Sequence, residues 1–348
     1  MKNKDNELYL QIRAFLKDYL PEKRNCSPHT IKAYRTALDQ LLEYIKRKNN
    51  INLIDITFET INREAVTGYL DHLENERSCS PGTRNYRLNC LRAFFDFAAK
   101  TDKTLVAYQI EISGIPFKKI PKDESIDYLP ENAVKVLLYQ PDVSRPKGIR
   151  DQFLMVLMYD SGARIQEIIN ISVCDFCLGD PPQVKLHGKG GKRRVVPLMK
   201  ETIQHFHRYM RAFHADEPLY SEKPLFYTVR NGICKPISDD MVRVFMDQYA
   251  QQAHKVCAEV PEKIHPHLLR HSRAMHLYQH GMPLSLISQW LGHAHLSSTL
   301  VYAHADTEMK RKAIEKATDK YFPAVDPEHS PYDVNDDEIL KRLYGLKP

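Results

Sequence analysis

His267 and Arg270 lie three residues apart, the spacing that projects two side chains from one face of a helix. Arginine offers a planar fork for two phosphate oxygens, and histidine moves a proton near neutral pH. A second cationic group surrounds His187-Gly188-Lys189-Gly190-Gly191, where Lys185, Lys189, Lys192, Arg193 and Arg194 occur without a carboxylate among them. The glycines let backbone approach a ligand closely, and the charge suits a polyanion. An edge hairpin guarded by lysines against aggregation has the same composition, so this segment alone decides nothing. Leu291-Gly292-His293 ends a helical pattern at a glycine, and Tyr302 follows His293 by nine residues in Leu300-Val301-Tyr302-Ala303-His304. Taken singly, a tyrosine is ordinarily core and an arginine near a histidine ordinarily surface. The weight lies in their order.

Two other chemistries compete for these residue types. Cys174-Asp175-Phe176-Cys177 is a lone CxxC, and zinc would need two more ligands at matched spacing, which Cys234 and Cys257 do not supply. His265, His267 and His271, with His293 and His295, resemble a histidine-rich metal site, but no carboxylate stands at a ligand spacing among them. The expectation is no metal and no cofactor.

The elements that must position these residues come from a chain of 348 residues, 43% hydrophobic and 27% charged, long enough for two domains. Fifty Lys and Arg against 44 Asp and Glu give a net charge of +6, which permits a nucleic-acid partner without demanding one. Residues 1–120 and 121–323 carry +5 and +4, and residues 324–348 carry −3. With a polar start and no long apolar run, the expectation is no signal peptide and no membrane span. Seven scattered cysteines do not form a secreted disulfide framework, so the expected setting is cytoplasmic.

The first body reads as helical. Ile31, Tyr34, Leu38, Leu41, Leu42 and Ile45 recur at three- and four-residue steps, as do Val66, Tyr69, Leu70 and Leu73. Cys26-Ser27-Pro28-His29-Thr30 is echoed by Cys79-Ser80-Pro81-Gly82-Thr83, each a serine N-cap with proline at the first helical position. One capping solution used twice explains the echo better than a repeat. Behind the caps, Lys32 and Arg35, and Arg84 and Arg87, lie three apart near helix N-termini that favour phosphate; solvated surface charge is the competing reading. Ser113-Gly114-Ile115-Pro116, Lys118-Lys119, Pro121 and Pro130 break periodicity, giving a linker over 113–130. Beyond it come an apolar helix from Phe153 to Ser161-Gly162, a strand-turn-strand over Gln183–Pro197, and helices from Ser238 to about Lys316. A further helix over Asp336–Tyr344 has carboxylates at its start, cations at its end, and Ile339, Leu340, Leu343 and Tyr344 on one side.

Gly162-Ala163-Arg164-Ile165-Gln166-Glu167, the Gly-Lys-Gly hairpin, His267-x-x-Arg270-His271, Leu291-Gly292-His293 and Tyr302 together resemble the catalytic domain of the tyrosine recombinases, the phage-integrase and Xer-like family. The N-terminal body resembles that family's SAM-like core-binding domain more loosely. The resemblance implies a mainly α fold: a helical SAM-like DNA-binding domain over 1–112, a linker over 113–130, and an α+β catalytic domain with a small antiparallel sheet over 131–323. A tail over 324–348 would pass its short helix between protomers or dock it on its own subunit. It also implies that Arg164 and Arg270 clamp the scissile phosphate, that Tyr302 is the nucleophile, that Lys189, His267 and His293 complete the catalytic set, and that Glu167 supports it. Gln166, Arg273, Met275 and Ser298 depart from the family's usual residues, but none is a reacting group.

The implied activity is cleavage and rejoining of DNA at specific sites through a covalent 3′-phosphotyrosine. It would integrate or excise a mobile element, or make a related DNA rearrangement. The expected partners are duplex DNA and further copies of the chain, a dimer on a core site and a tetramer in the synapse, with no membrane. Lys32, Arg35, Arg84, Arg87, Lys192, Arg193 and Arg194 are the expected DNA contacts. A non-catalytic DNA-binding regulator on the same scaffold is the alternative; it would explain the basic surfaces but not the retention of every reacting residue.

Overall fold

The computed structural model describes residues 6–120, 127–188, 191–293, 295–305, 311, 314, 337–343, 345 and 346. The chain divides into two compact units, Met1–Lys122 and Asp123–Pro348.

The first unit is helical: α1 (Glu7–Ala14), continued by a π-helical segment Phe15–Lys23, then α2 (Pro28–Asn49), α3 (Arg63–Asn75), α4 (Pro81–Thr101) and α5 (Val106–Ser113). Ser27 and Ser80 accept the backbone N–H of Thr30 and Thr83, each at 3.3 Å, so the echoed pentapeptides are the same cap used twice. The apolar stripes of α2 and α3 pack on α4, where Leu88, Leu91, Phe94 and Phe95 are fully buried. The first half of the expected linker is held against α4. Ile115 is buried, Arg92 donates to the carbonyls of Ser113 and Ile115, and Asn85 bonds Lys118 through its backbone.

The second unit is mainly α around a small antiparallel sheet. Its early elements are α6 (Glu131–Leu138), α7 (Pro146–Ser161), α8 (Ile165–Ile169), β1 (Phe176–Cys177), β2 (Gln183–His187), β3 (Arg193–Pro197) and α9 (Lys200–Phe213). They are followed by the hairpin β4 (Tyr227–Arg230) and β5 (Ile233–Pro236), then α10 (Asp239–His254), α11 (Pro266–Gln279), α12 (Leu284–Leu291) and α13 (Ser297–Ala305). Strand order is β1-β2-β3, with Val184 opposite Val196 and Lys185 opposite Val195. Period two puts Val184, Leu186 and Val196 inward on the core beneath α7 and α9. Helix α7 is buried on nearly every side from Asp151 to Ser161, and the buried carboxylates Asp151 and Asp160 are paired with Arg150 and Arg273. Two glycines in the left-handed region, Gly162 (φ 58°) and Gly292 (φ 64°), end α7 and α12. A β-carbon on Gly162 would stand 2.9 Å from Leu291 Cδ2, so the two helix ends meet closely. In the tail, α14 (Asp337–Leu343) has Asp337 and Glu338 in its first turn and Lys341 and Arg342 in its last. No helix among the described residues is long and apolar enough to cross a membrane.

Candidate active site

The meeting of the α7 and α12 ends builds the site. Helix C-termini leave carbonyls without helical partners. Arg270, on α11 and only 3% exposed, donates from Nη1 to Gly162 O at 2.6 Å and from Nη2 to Leu291 O at 2.7 Å. The buried guanidinium is thereby fixed at the junction of three helices. Burial, then the charges of Arg164 and Arg194, lower its pKa to about 10, which still leaves it cationic at neutral pH.

Arg164 follows the Gly162 turn as the N-cap of α8. Glu167, three residues on, accepts Arg164 N at 2.8 Å and Arg164 Nη1 at 3.1 Å, the reach-back of a capping box. The Arg164 side chain is 40% exposed, so this arginine presents its charge to solvent while its root is held. Burial pushes the Glu167 carboxyl up, but hydrogen bonds and charge from Arg194, then Arg164, outweigh it and keep the group below the ordinary carboxylate range.

Tyr302 lies on α13, 1% exposed, in a cluster with Ala274, Met275, Ile287 and Leu291. Its hydroxyl lies 3.0 Å from Nδ1 of His271 and donates to it when the imidazole proton is on Nε2. Burial raises the phenol's pKa, opposed by the charges of Arg270 and then Arg164. His265, His267 and His271 stand in file behind it, with successive ring centroids 6.4 and 6.3 Å apart. His293, just past Gly292, is oriented by Thr299 Oγ1 at 2.8 Å from its Nδ1. Desolvation first, then His267, His265 and Arg270, push His271 down to about 4; desolvation, then Arg270, Arg164 and Arg194, push His293 to about 4, and desolvation, then Arg270, lowers His267.

The structure places Arg164, Glu167, Arg270, His293 and Tyr302 in one region, where the arginine charges act on His293 and Tyr302. His267 joins it through His271. Lys189 lies outside the described residues. Among the expected DNA contacts, Lys32, Arg35, Lys192 and Arg193 are exposed. Arg84 is not a surface cation: it is 4% exposed, 3.5 Å from Glu74 and bonded to Pro116 O, because the segment after α5 covers that face of α4. Arg87 is half-buried beside it. Arg194 also turns inward, with its side chain 14% exposed and paired to Glu167. The sequence reading did not assign His271 and Thr299 to the site. His271 was visible as the residue after Arg270, but only the path of α13 shows what it touches. Arg273, a departure from the family pattern, pairs with buried Asp160 at 3.2 Å. Among the described residues no group of three or more His, Cys, Asp or Glu could hold a metal.

Two histidines held neutral imply an acid-sensitive catalytic unit. Unfolded histidines titrate near ~6.5, so between that value and about 4 the unfolded chain binds protons that native His271 and His293 refuse. Stability is therefore full above that window and falls with falling pH through it. Thermal melts should show the melting temperature dropping from pH 7 to pH 5, less steeply in His271→Gln. Equal slopes would show that His271 is not held neutral by the fold.

A buried tyrosine in the field of two arginines has the chemical parts that attack on a phosphodiester requires. The sequence model described as "Phage integrase family" matches residues 127–309, and that described as "Phage integrase, N-terminal SAM-like domain" matches residues 12–104. The chain belongs to the phage integrase family, the tyrosine recombinases, enzymes that transfer DNA strands. It is 29% identical over 307 residues to the tyrosine recombinase XerC of Staphylococcus haemolyticus, covering 87% of this chain and 95% of that one. Its fold matches the XerH site-specific recombinase bound to palindromic difH substrate in a post-cleavage complex (TM-score 0.62, 19% identity, 89% and 88% of the two chains). It also matches a lambda integrase tetramer bound to a Holliday junction (TM-score 0.57, 16% identity, 84% and 76%).

Proposed function

We propose that this recombinase cuts and rejoins DNA at a specific site through a covalent 3′-phosphotyrosine on Tyr302, integrating or excising a mobile element or making a related rearrangement. The observation that carries the reading is the Tyr302 hydroxyl, bonded to His271 within the field of Arg270 and Arg164.

A phosphodiester under attack gathers negative charge on its non-bridging oxygens, and preorganised guanidiniums stabilise that charge most where it develops. Arg270 is preorganised by its two carbonyl partners and Arg164 by Glu167. Tyr302 Oη forms a bond to phosphorus as the bond from phosphorus to the 5′ oxygen breaks. Free tyrosine titrates near ~10, so the hydroxyl needs nearby cations and a proton acceptor. His271 accepts its proton directly, with His267 the next ring in the file. Lys189 supplies a proton to the departing 5′ oxygen, and His293 steadies the phosphate. Reversal by a different 5′ hydroxyl joins a new strand without metal or nucleotide.

Exposed Lys32, Arg35, Lys192 and Arg193 contact phosphates, and the chain acts as a dimer on a two-fold site and a tetramer in synapsis. The palindromic DNA of the XerH complex and the lambda integrase tetramer support this assembly. Helix α14, with its apolar side and sorted charges, is passed to the neighbouring protomer.

The test begins by selecting the bound duplex from a random-sequence pool. A nicked version, whose cleavage releases a short fragment and prevents religation, should then trap protein on the 3′ phosphate. No adduct on any selected duplex would favour the non-catalytic regulator. Truncation after Val334 should leave binding to one half-site intact and weaken cooperative filling of paired sites. Unchanged cooperativity and unchanged strand exchange would show that α14 is not passed between protomers.

A further inference from the structure

Arg194 sits on β3, on the far side of the Gly-Lys-Gly turn from β2, and its strand neighbours Arg193 and Val195 are exposed. Alternation along the strand turns Arg194 the other way, onto the face of buried Val196. There its guanidinium makes three bonds: Nη1 to Glu167 Oε1 at 2.6 Å, Nη2 to Glu167 Oε2 at 2.8 Å, and Nε to Trp290 O at 3.0 Å. The first two are a parallel fork on one carboxylate, the geometry that fixes orientation as well as distance. Glu167 is the residue that holds Arg164. Trp290 O is one of the last carbonyls of α12, immediately before Leu291 O, which Arg270 takes. Gly292 comes next, and a β-carbon there would stand 3.0 Å from Arg194 Cδ and 3.1 Å from its Nη1. His293 follows.

We infer that Arg194 is a positioning residue, which joins the hairpin, the Arg164 turn and the α12 end that carries His293 into one rigid site and makes no contact with DNA. Its five N–H donors and planar shape suit three segments meeting at one point, which a lysine's single ammonium does not. Glu167 serves two arginines, so Arg194 acts on Arg164 through the carboxylate they share.

The inference rests on the cleavage reading, and the experiment separates the two. On the selected nicked duplex at saturating concentration, Arg194→Lys should lower the rate of adduct formation roughly 10–100-fold, the usual cost of removing a partner that orients a reacting group, with affinity nearly unchanged. Arg193→Ala, which removes a phosphate contact, should instead weaken binding and reduce the salt slope by about one. Adding methylguanidinium should restore part of the cleavage by an Arg194→Ala enzyme. Should single variants not fold, Arg194→Met with Glu167→Gln replaces the buried pair by neutral side chains and avoids a stranded carboxylate. That double variant should cleave slowly, and its His293, followed by NMR titration, should move up from about 4 as the adjacent cation and the anchored helix end are lost. Cleavage by Arg194→Lys within about threefold of wild type, with weaker binding and a shallower salt slope, would make Arg194 a phosphate contact and overturn the inference. If the wild-type protein forms no adduct, the cleavage reading fails, and hydrogen exchange at the α12 end in Arg194→Lys decides the role of Arg194: faster exchange of the Gly292 and His293 amides supports it, unchanged exchange overturns it.

Discussion

Tyr302→Phe is expected to bind the selected duplex as tightly as the wild-type protein and to form no covalent adduct with it. The side chain is 1% exposed and contributes its ring to the packing of Ala274, Met275, Ile287 and Leu291, all of which a phenylalanine retains. What is removed is one oxygen, together with its bond to His271. The imidazole loses a partner at a cost of about 1 kcal/mol, small against the stability of a domain, so the variant folds. The chemical loss is of another order, because no remaining atom at that position can attack phosphorus. Gel-shift titration and denaturing gels of the trapped complex measure the two quantities separately. An adduct formed by the variant would move the nucleophile to Tyr278, which packs beside the same cluster, or to Tyr321, outside the described residues.

The parts of this site carried by local spacing were legible in the sequence. The Ser-Pro caps, the glycine ends of α7 and α12, and the three-residue step from His267 to Arg270 depend on rules of one helix. The hairpin over Gln183–Pro197 was legible from alternation, and the same alternation could have shown Arg194 turning inward with Val196. Five cations counted together obscured it. For Arg84, helical spacing put it on a face with Arg87, but which face is covered depends on a segment more than 30 residues away. No local pattern encodes that. The second hairpin, β4 and β5, which the sequence reading did not assign, has a plain signal in Asn231-Gly232, both at positive φ. The bond from Tyr302 to His271 spans 31 residues and needs three helices in place, so the spacing of His293 and Tyr302 singled out Tyr302 without revealing what holds it.

Arg270→Lys is expected to bind the selected duplex normally and cleave at least 100-fold more slowly at saturation, a loss of about 3 kcal/mol of transition-state stabilisation. The wild-type guanidinium commits Nη1 and Nη2 to Gly162 O and Leu291 O, and those bonds aim the rest of the fork. A lysine ammonium has three donors on a flexible stem, and satisfying the two buried carbonyls pulls it away from a phosphate, while serving the phosphate strands the carbonyls. Either compromise costs catalysis more than binding, since Arg270 is 3% exposed and most phosphate contacts in a long duplex are made elsewhere. The variant also loosens the junction of α7, α11 and α12, so its melting temperature should fall, and cleavage is compared at a temperature where both proteins are folded. Arg164→Lys is the internal comparison. That side chain is 40% exposed and caps no carbonyl pair, so its loss should slow cleavage with a smaller effect on melting. Cleavage by Arg270→Lys within about twofold of wild type would show that the buried guanidinium serves the helix junction alone and leaves Arg164 as the only arginine on the phosphate.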